Sequence, residues 1–119
     1  MRYKYFTEMP VWKMAFDLLL EIYQVTKSFP VDERFGLTSD IRRSANSIVH
    51  NIAEGFGRFA PKEKTYFYRV SRASAYELWS QTLASFALGY IEEGIRNRWI
   101  QSGQQIIDDL DALMKTLGS

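Results

Sequence analysis

Between Ile41 and Arg58 the chain reads IRRSANSIVHNIAEGFGR, and this stretch holds the side chains best suited to chemistry. At 100° per residue, Arg43, Ser47, His50, Glu54 and Arg58 share one stripe of a helix. Glu54 beside Arg43 and Arg58 can be drawn as a general acid next to an anion clamp. The simpler reading is an ion-pair and capping network, with Arg58 one helical turn beyond Glu54. No nucleophile–base pair accompanies them, and Gly55-x-Gly57 lacks the preceding strand that a phosphate loop requires. His50 is the only histidine and there is no cysteine. Protein metal sites need three or four converging ligands, and bundle di-metal sites use Glu-x-x-His pairs from two helices. Hence no catalytic residue, metal, cofactor or small-molecule substrate is expected.

A second kind of chemistry is electrostatic. Arg42, Arg43, Arg58, Lys62, Lys64, Arg69 and Arg72 lie close in sequence, interleaved with Tyr66, Tyr68 and Tyr76. Arginine and lysine contact phosphates, and tyrosine stacks on unpaired bases. From Arg34 to Arg72 there are eight Lys or Arg against three acids. From Ala73 onward there are three against six, so the net +1 of the chain conceals a basic middle and an acidic tail. That asymmetry admits an anionic partner such as RNA. The same residue types also enrich protein–protein interfaces, and composition does not separate the two.

These residues need a frame. The 119 residues fit one domain with a small core, and 46% hydrophobic residues argues against disorder. The absence of cysteine, of a signal-peptide apolar run at MRYKYFTEMP and of any membrane-length apolar stretch leads us to expect a cytoplasmic protein. Residues 1–9 are expected to be irregular and docked on the rest. Pro10 can open a first helix over 10–28, closed before Phe29-Pro30. Thr38 or Ser39 can cap a second over 38–57, in which Ile41, Ala45, Ile48, Ile52 and Phe56 form the inward stripe. Gly57 suits a left-handed C-terminal position. Pro61 can open a third helix over 61–88, and Glu92-Glu93 a fourth over 92–117. In the third, Phe67, Val70, Ser74, Leu78, Ser85 and Leu88 can line one face. A neighbouring face carries Tyr68, Arg72, Tyr76, Trp79, Leu83 and Phe86. Two broad apolar faces on one helix exceed what a small monomer hides, so Tyr68, Tyr76, Trp79 and Phe86 are expected at an oligomer interface. Short loops and no strand signal predict an all-α, antiparallel up-down-up-down four-helix bundle.

The wording of the second helix adds to this. Gly36, Leu37, Ile41, Arg42, Arg43, Ser47, Ile48, Asn51, Ile52, Ala53, Glu54, Gly55, Gly57 and Arg58 fit a pattern close to G-L-x-x-Q-I-R-R-A-x-x-S-I-x-x-N-I-A-E-G-x-G-R. The chain resembles the bacterial four-helix-bundle family encoded in intervening sequences of 23S ribosomal RNA genes. The likeness extends to Val11-Trp12, Phe29-Pro30, Glu77-Leu78 and Leu88-Gly89-Tyr90-Ile91. Asp40 stands where Gln is usual, Val49-His50 replaces a Pro-Ser pair, and Trp79 and Phe86 occupy more polar positions. The resemblance implies a homopentamer without established enzymatic activity. It also implies an RNA connection, since the similar accessory proteins of diversity-generating retroelements bind a reverse transcriptase and RNA through a basic surface. Asn51, Glu54, Gly55 and Gly57 become structural signature positions, with Arg42 expected to be freer for a partner than Arg43. A protein–protein adaptor with no nucleic-acid role is the alternative.

Overall fold

The computed structural model describes residues 3–118. Among these are four helices and no strand: α1 (Pro10–Thr26), α2 (Leu37–Gly57), α3 (Pro61–Ala87) and α4 (Glu93–Thr116). Short 3-10 turns at Phe6–Glu8 and Val31–Glu33 precede α1 and α2. Of the N-terminal segment expected to dock on the bundle, Met1 and Arg2 lie outside the described residues. Tyr3 and Phe6 do pack against the core. No helix among the described residues is long and apolar enough to cross a membrane.

Each helix packs on the next, and α1 also meets α4. The paired residues give the directions. Thr26 meets Arg42 while Tyr23 meets Asn46, so α1 and α2 run oppositely. Lys64 meets Phe56, Ser71 meets Ile48 and Ser74 meets Ser47, so α2 and α3 do too. The connection from α2 to α3 is only residues 58–60.

Sequence periodicity locates the inward face of α2 correctly: Ile41, Ala45, Ile48 and Ile52 are buried. For α3 it does not. The buried positions are Thr65, Tyr68, Ser71, Ser74, Ala75, Leu78, Thr82 and Ser85. Tyr68, Ser71, Ala75, Leu78, Thr82 and Ser85 follow alternating three- and four-residue steps, the spacing of a helix–helix seam. The serine and threonine hydroxyls of this seam are satisfied at close quarters. Thr82 donates to the Leu78 carbonyl and Ser85 to that of Gln81, both at 2.8 Å. Ser71 donates across to the Ile48 carbonyl at 2.8 Å. A buried hydroxyl with such a partner costs little, so small polar residues can line a close-packed seam. Of the expected apolar face, Leu88 is exposed, and Phe67 and Val70 are only half-buried.

Tyr68 therefore belongs to the core of the monomer and not to an oligomer interface; it is 2% exposed. Burial also raises its hydroxyl pKa to about 12. Its ring lies against Gly55, where a Cβ would come within 2.7 Å of ring carbon. Gly55 is thus required by close helix approach. Gly57 is not left-handed; the described positive-φ glycines are Gly89 and Gly118. The turn after α3 is closed by Gly89 at φ 82°, with the Tyr90 amide reaching the Ser85 carbonyl.

One further expectation changes at α2. Gly36, not Thr38 or Ser39, is the residue before its first turn, and no side chain of that residue caps it. Glu33 takes over, accepting from the Leu37 amide at 3.1 Å and from the Tyr90 hydroxyl at 2.8 Å. In α4 the buried face runs through Trp99, Gly103, Ile106 and Leu110.

Candidate nucleic-acid interface

The seven candidate cations from Arg42 to Arg72 do not form one surface. Arg42 and Arg43 stand near the start of α2 and Arg58 just past its end. A helix rises about 1.5 Å per residue, so the two groups are roughly 20 Å apart. Each cation then has its own local fate.

Arg42 is tied inward. Its Nε donates to Thr26 Oγ1 at 2.8 Å and its Nη2 to the Tyr23 carbonyl at 3.3 Å, with the guanidinium 4.6 Å over the Tyr23 ring. Arg43 is the outward one, paired only with Asp40 at 2.6 Å along its own helix. This reverses the expectation that Arg42 is the freer. Adjacent residues on a helix diverge by 100°, and here the inward direction finds the last carbonyls of α1.

Lys64 is also inward. Its ammonium donates to the Phe56 carbonyl at 2.8 Å and the Gly55 carbonyl at 3.4 Å, closing the end of α2. Burial holds its pKa below the usual lysine value. Arg72 is bound by Asp111 of α4 at 2.6 Å, and that hydrogen bond raises its pKa. Arg58 pairs with Glu54 at 2.9 Å and lies 4.7 Å over Phe67. Glu54 has no pairing with Arg43; each arginine takes an acid of its own turn instead. Among the described residues, Lys62 and Arg69 are exposed and have no ion-pair partner.

The remaining polar residues of α2 are structural in their contacts. Asn51 does not reach a loop or another helix end. Its amide donates to the Ser47 carbonyl at 2.8 Å and to Ser47 Oγ at 3.1 Å, beside the 2.7 Å contact of Ser47 with Ser74 of α3. His50 is exposed and its Nε2 meets Asn46 Oδ1 at 3.2 Å. No group of three His, Cys, Asp or Glu among the described residues is placed to hold a metal.

The arrangement so far is a helical scaffold with outward cations. The 23S rRNA-intervening sequence protein family matches it over residues 7–112. The chain belongs to that family. No protein of curated function is similar enough to match. Among solved structures, one of a protein of unknown function from the S23 ribosomal protein family of Bacteroides thetaiotaomicron superposes with a TM-score of 0.81. It is 20% identical, and the match covers 88% of this chain and 98% of that one. At that identity the likeness speaks for the fold.

In this member of the 23S rRNA-intervening sequence family, the outward face of α3 completes the site. Lys62, Tyr66, Arg69, Ala73 and Tyr76 recur at steps of four and three, opposite the buried seam. All five are exposed. The N-terminal half of this face carries the free cations with Tyr66, whose ring meets Phe67 edge-on at 5.0 Å. Toward the C-terminal end of α3 the large apolar side chains turn to the flank of this stripe, where Trp79 and Phe86 are half-buried against the core. Tyr76 stacks on Trp79 at 5.9 Å, Leu83 is exposed, and Phe86 lies under Arg96 at 4.2 Å. Sequence reasoning already set Tyr76, Trp79 and Phe86 apart from the cations as interface candidates; plotting α3 from its seam outward adds that Lys62, Tyr66 and Arg69 share one exposed stripe.

Proposed function

We propose that this chain is a non-catalytic, cytoplasmic helical bundle that assembles with copies of itself, as a pentamer, and binds RNA or a ribonucleoprotein. The division of the α3 outer face supports this reading. Exposed Tyr76 and Leu83, flanked by half-buried Trp79 and Phe86, offer an apolar contact for another copy, while Lys62, Tyr66 and Arg69 stay available to phosphates and unpaired bases. Assembly repeats each weak phosphate contact, so avidity offsets the modest charge of one subunit. The family's ribosomal-RNA name points in the same direction.

The deciding experiment pairs light scattering with RNA titration across salt. The expected mass is near five times 13.9 kDa. Affinity for single-stranded RNA should fall steeply with salt, because phosphate contacts release counterions. Lys62→Gln with Arg69→Gln should flatten that slope without changing the assembly. A salt-independent affinity, or a slope unchanged in the double variant, overturns the RNA reading. A protein that co-purifies without nucleic acid, at a low 260/280 absorbance ratio, would establish an adaptor instead.

A further inference from the structure

At the opposite end of α2 from Lys62 and Arg69 lies a shallow groove of about 410 Å³. Arg34, Phe35, Thr38, Ser39, Arg42 and Arg43 line it. Three features set it apart from an ordinary charged surface. The first is cationic excess: three arginines face it against the single Asp40 carboxylate, which meets one Nη of the exposed Arg43 and leaves a net positive wall. Arg42 is spent on Thr26 and the Tyr23 carbonyl, so it lends the wall charge and leaves direct contact to Arg34 and Arg43. The second is hydrogen-bonding capacity. Among the described residues, the Thr38 and Ser39 hydroxyls have no partner. The third is Phe35, 86% exposed, with the Arg34 guanidinium 5.0 Å over its ring. An exposed phenylalanine contributes little to the bundle core, but its flat face is a stacking platform.

A phosphate oxygen is met by paired arginines and hydroxyls. A nucleobase without a pairing partner is met by an aromatic face or a guanidinium plane. We infer that this groove seats a phosphate joined to an unpaired base, with Arg34, Arg43, Thr38 and Ser39 on the phosphate and Phe35 on the base. The inference deepens the RNA reading above and rests on it for the polymer. The ligand chemistry is shared by a free nucleotide and by an RNA strand, and the test separates them.

Full-length protein would be titrated with AMP, adenosine, inorganic phosphate and a 5′-phosphorylated oligouridylate, followed by calorimetry. AMP should bind at least tenfold more tightly than adenosine or phosphate alone. Phe35→Ala should weaken AMP about tenfold, the loss expected of one stacking contact. Phe35→Trp should restore it and report binding by quenching of the new indole. Arg34→Gln with Arg43→Gln should weaken AMP and phosphate but leave adenosine unchanged. All three substituted positions lie on the surface, and circular dichroism checks the fold. Competition between AMP and the oligouridylate assigns the groove to an RNA strand. AMP binding with no oligouridylate binding assigns it to a free nucleotide and overturns the RNA reading alone. Oligouridylate binding that is equal in wild type and Phe35→Ala, with no saturable AMP binding, overturns the groove and leaves the RNA reading standing.

Discussion

The two ends of the bundle solve one problem with different chemistry. Neither α1 nor α2 carries a basic residue in its last turn, where exposed carbonyls concentrate partial negative charge. In both cases the following helix supplies the cation. At one end Arg42 of α2 reaches the Tyr23 carbonyl of α1. At the other Lys64 of α3 reaches the Gly55 and Phe56 carbonyls of α2. The arginine does this at a half-exposed rim, using its fork on a hydroxyl and a carbonyl while its plane covers the Tyr23 ring. The lysine does it beside an apolar cavity of about 520 Å³, walled by Phe56, Tyr68, Leu113 and Leu117. One end remains polar and open, whereas the other is partly desolvated. The difference teaches that a basic residue between two helices has to be assigned by its nearest carbonyls before it is counted as ligand-binding surface.

Substitutions can break this comparison, beginning where packing is tightest. Gly55→Ala places a methyl group against the buried Tyr68 ring, and should cost about 3 kcal/mol in urea denaturation. Arg42→Ala should cost about 2 kcal/mol by the same measurement, since it frees the Tyr23 carbonyl and Thr26. Arg43→Ala, its outward neighbour, should stay within about 0.5 kcal/mol. Lys64→Met keeps the apolar stem and removes the ammonium, so about 1 kcal/mol should be lost. Equal effects at Arg42 and Arg43 would remove the distinction between clamp and surface.

The mildest test uses acid. The Leu37 amide, followed by the Tyr90 hydroxyl, holds the Glu33 carboxyl below its ordinary 4.5. A depressed carboxyl pKa contributes stability that is complete above the unfolded value and disappears as pH falls through the folded one. The melting temperature should therefore drop below about pH 4.5, and Glu33→Gln should flatten that limb. An unchanged acid limb in the variant would show that the Glu33 cap does not steady its end of the bundle.

Much of the fold was legible because helices announce their ends and their stripes. Pro10 and Pro61 open α1 and α3 as read, and the inward residues of α2 follow from strict apolar spacing. What failed was the equation of apolar with buried. On α3 the seam is mostly serine, threonine and alanine, with Tyr68 and Leu78 the two large residues, while Tyr66, Tyr76, Leu83 and Leu88 face outward. Hydrophobicity cannot register a hydroxyl satisfied by a carbonyl one turn away. The candidate site was legible as a set of residue types and not as a surface. Arg42 and Lys64 look the same as Arg43 and Lys62 in sequence, and only the position of α1 and α2 carbonyl ends tells them apart. Glu33 was missed for a similar reason: its cap acts from a 3-10 turn four residues before Leu37.

The serine seam between α2 and α3 also has a meaning in time. Three residues connect these helices, so the chain loses little freedom in bringing them together. Ser71 on the Ile48 carbonyl and Ser47 against Ser74 then fix their register. The contact of α1 with α4 is different. Glu21 waits for Arg98 and Trp99, 77 and 78 positions further along the chain. The α2–α3 hairpin is thus the part expected to form first and open last, and its central amides should be the slowest to exchange in heavy water. The helix that begins the sequence would be among the last to find its place.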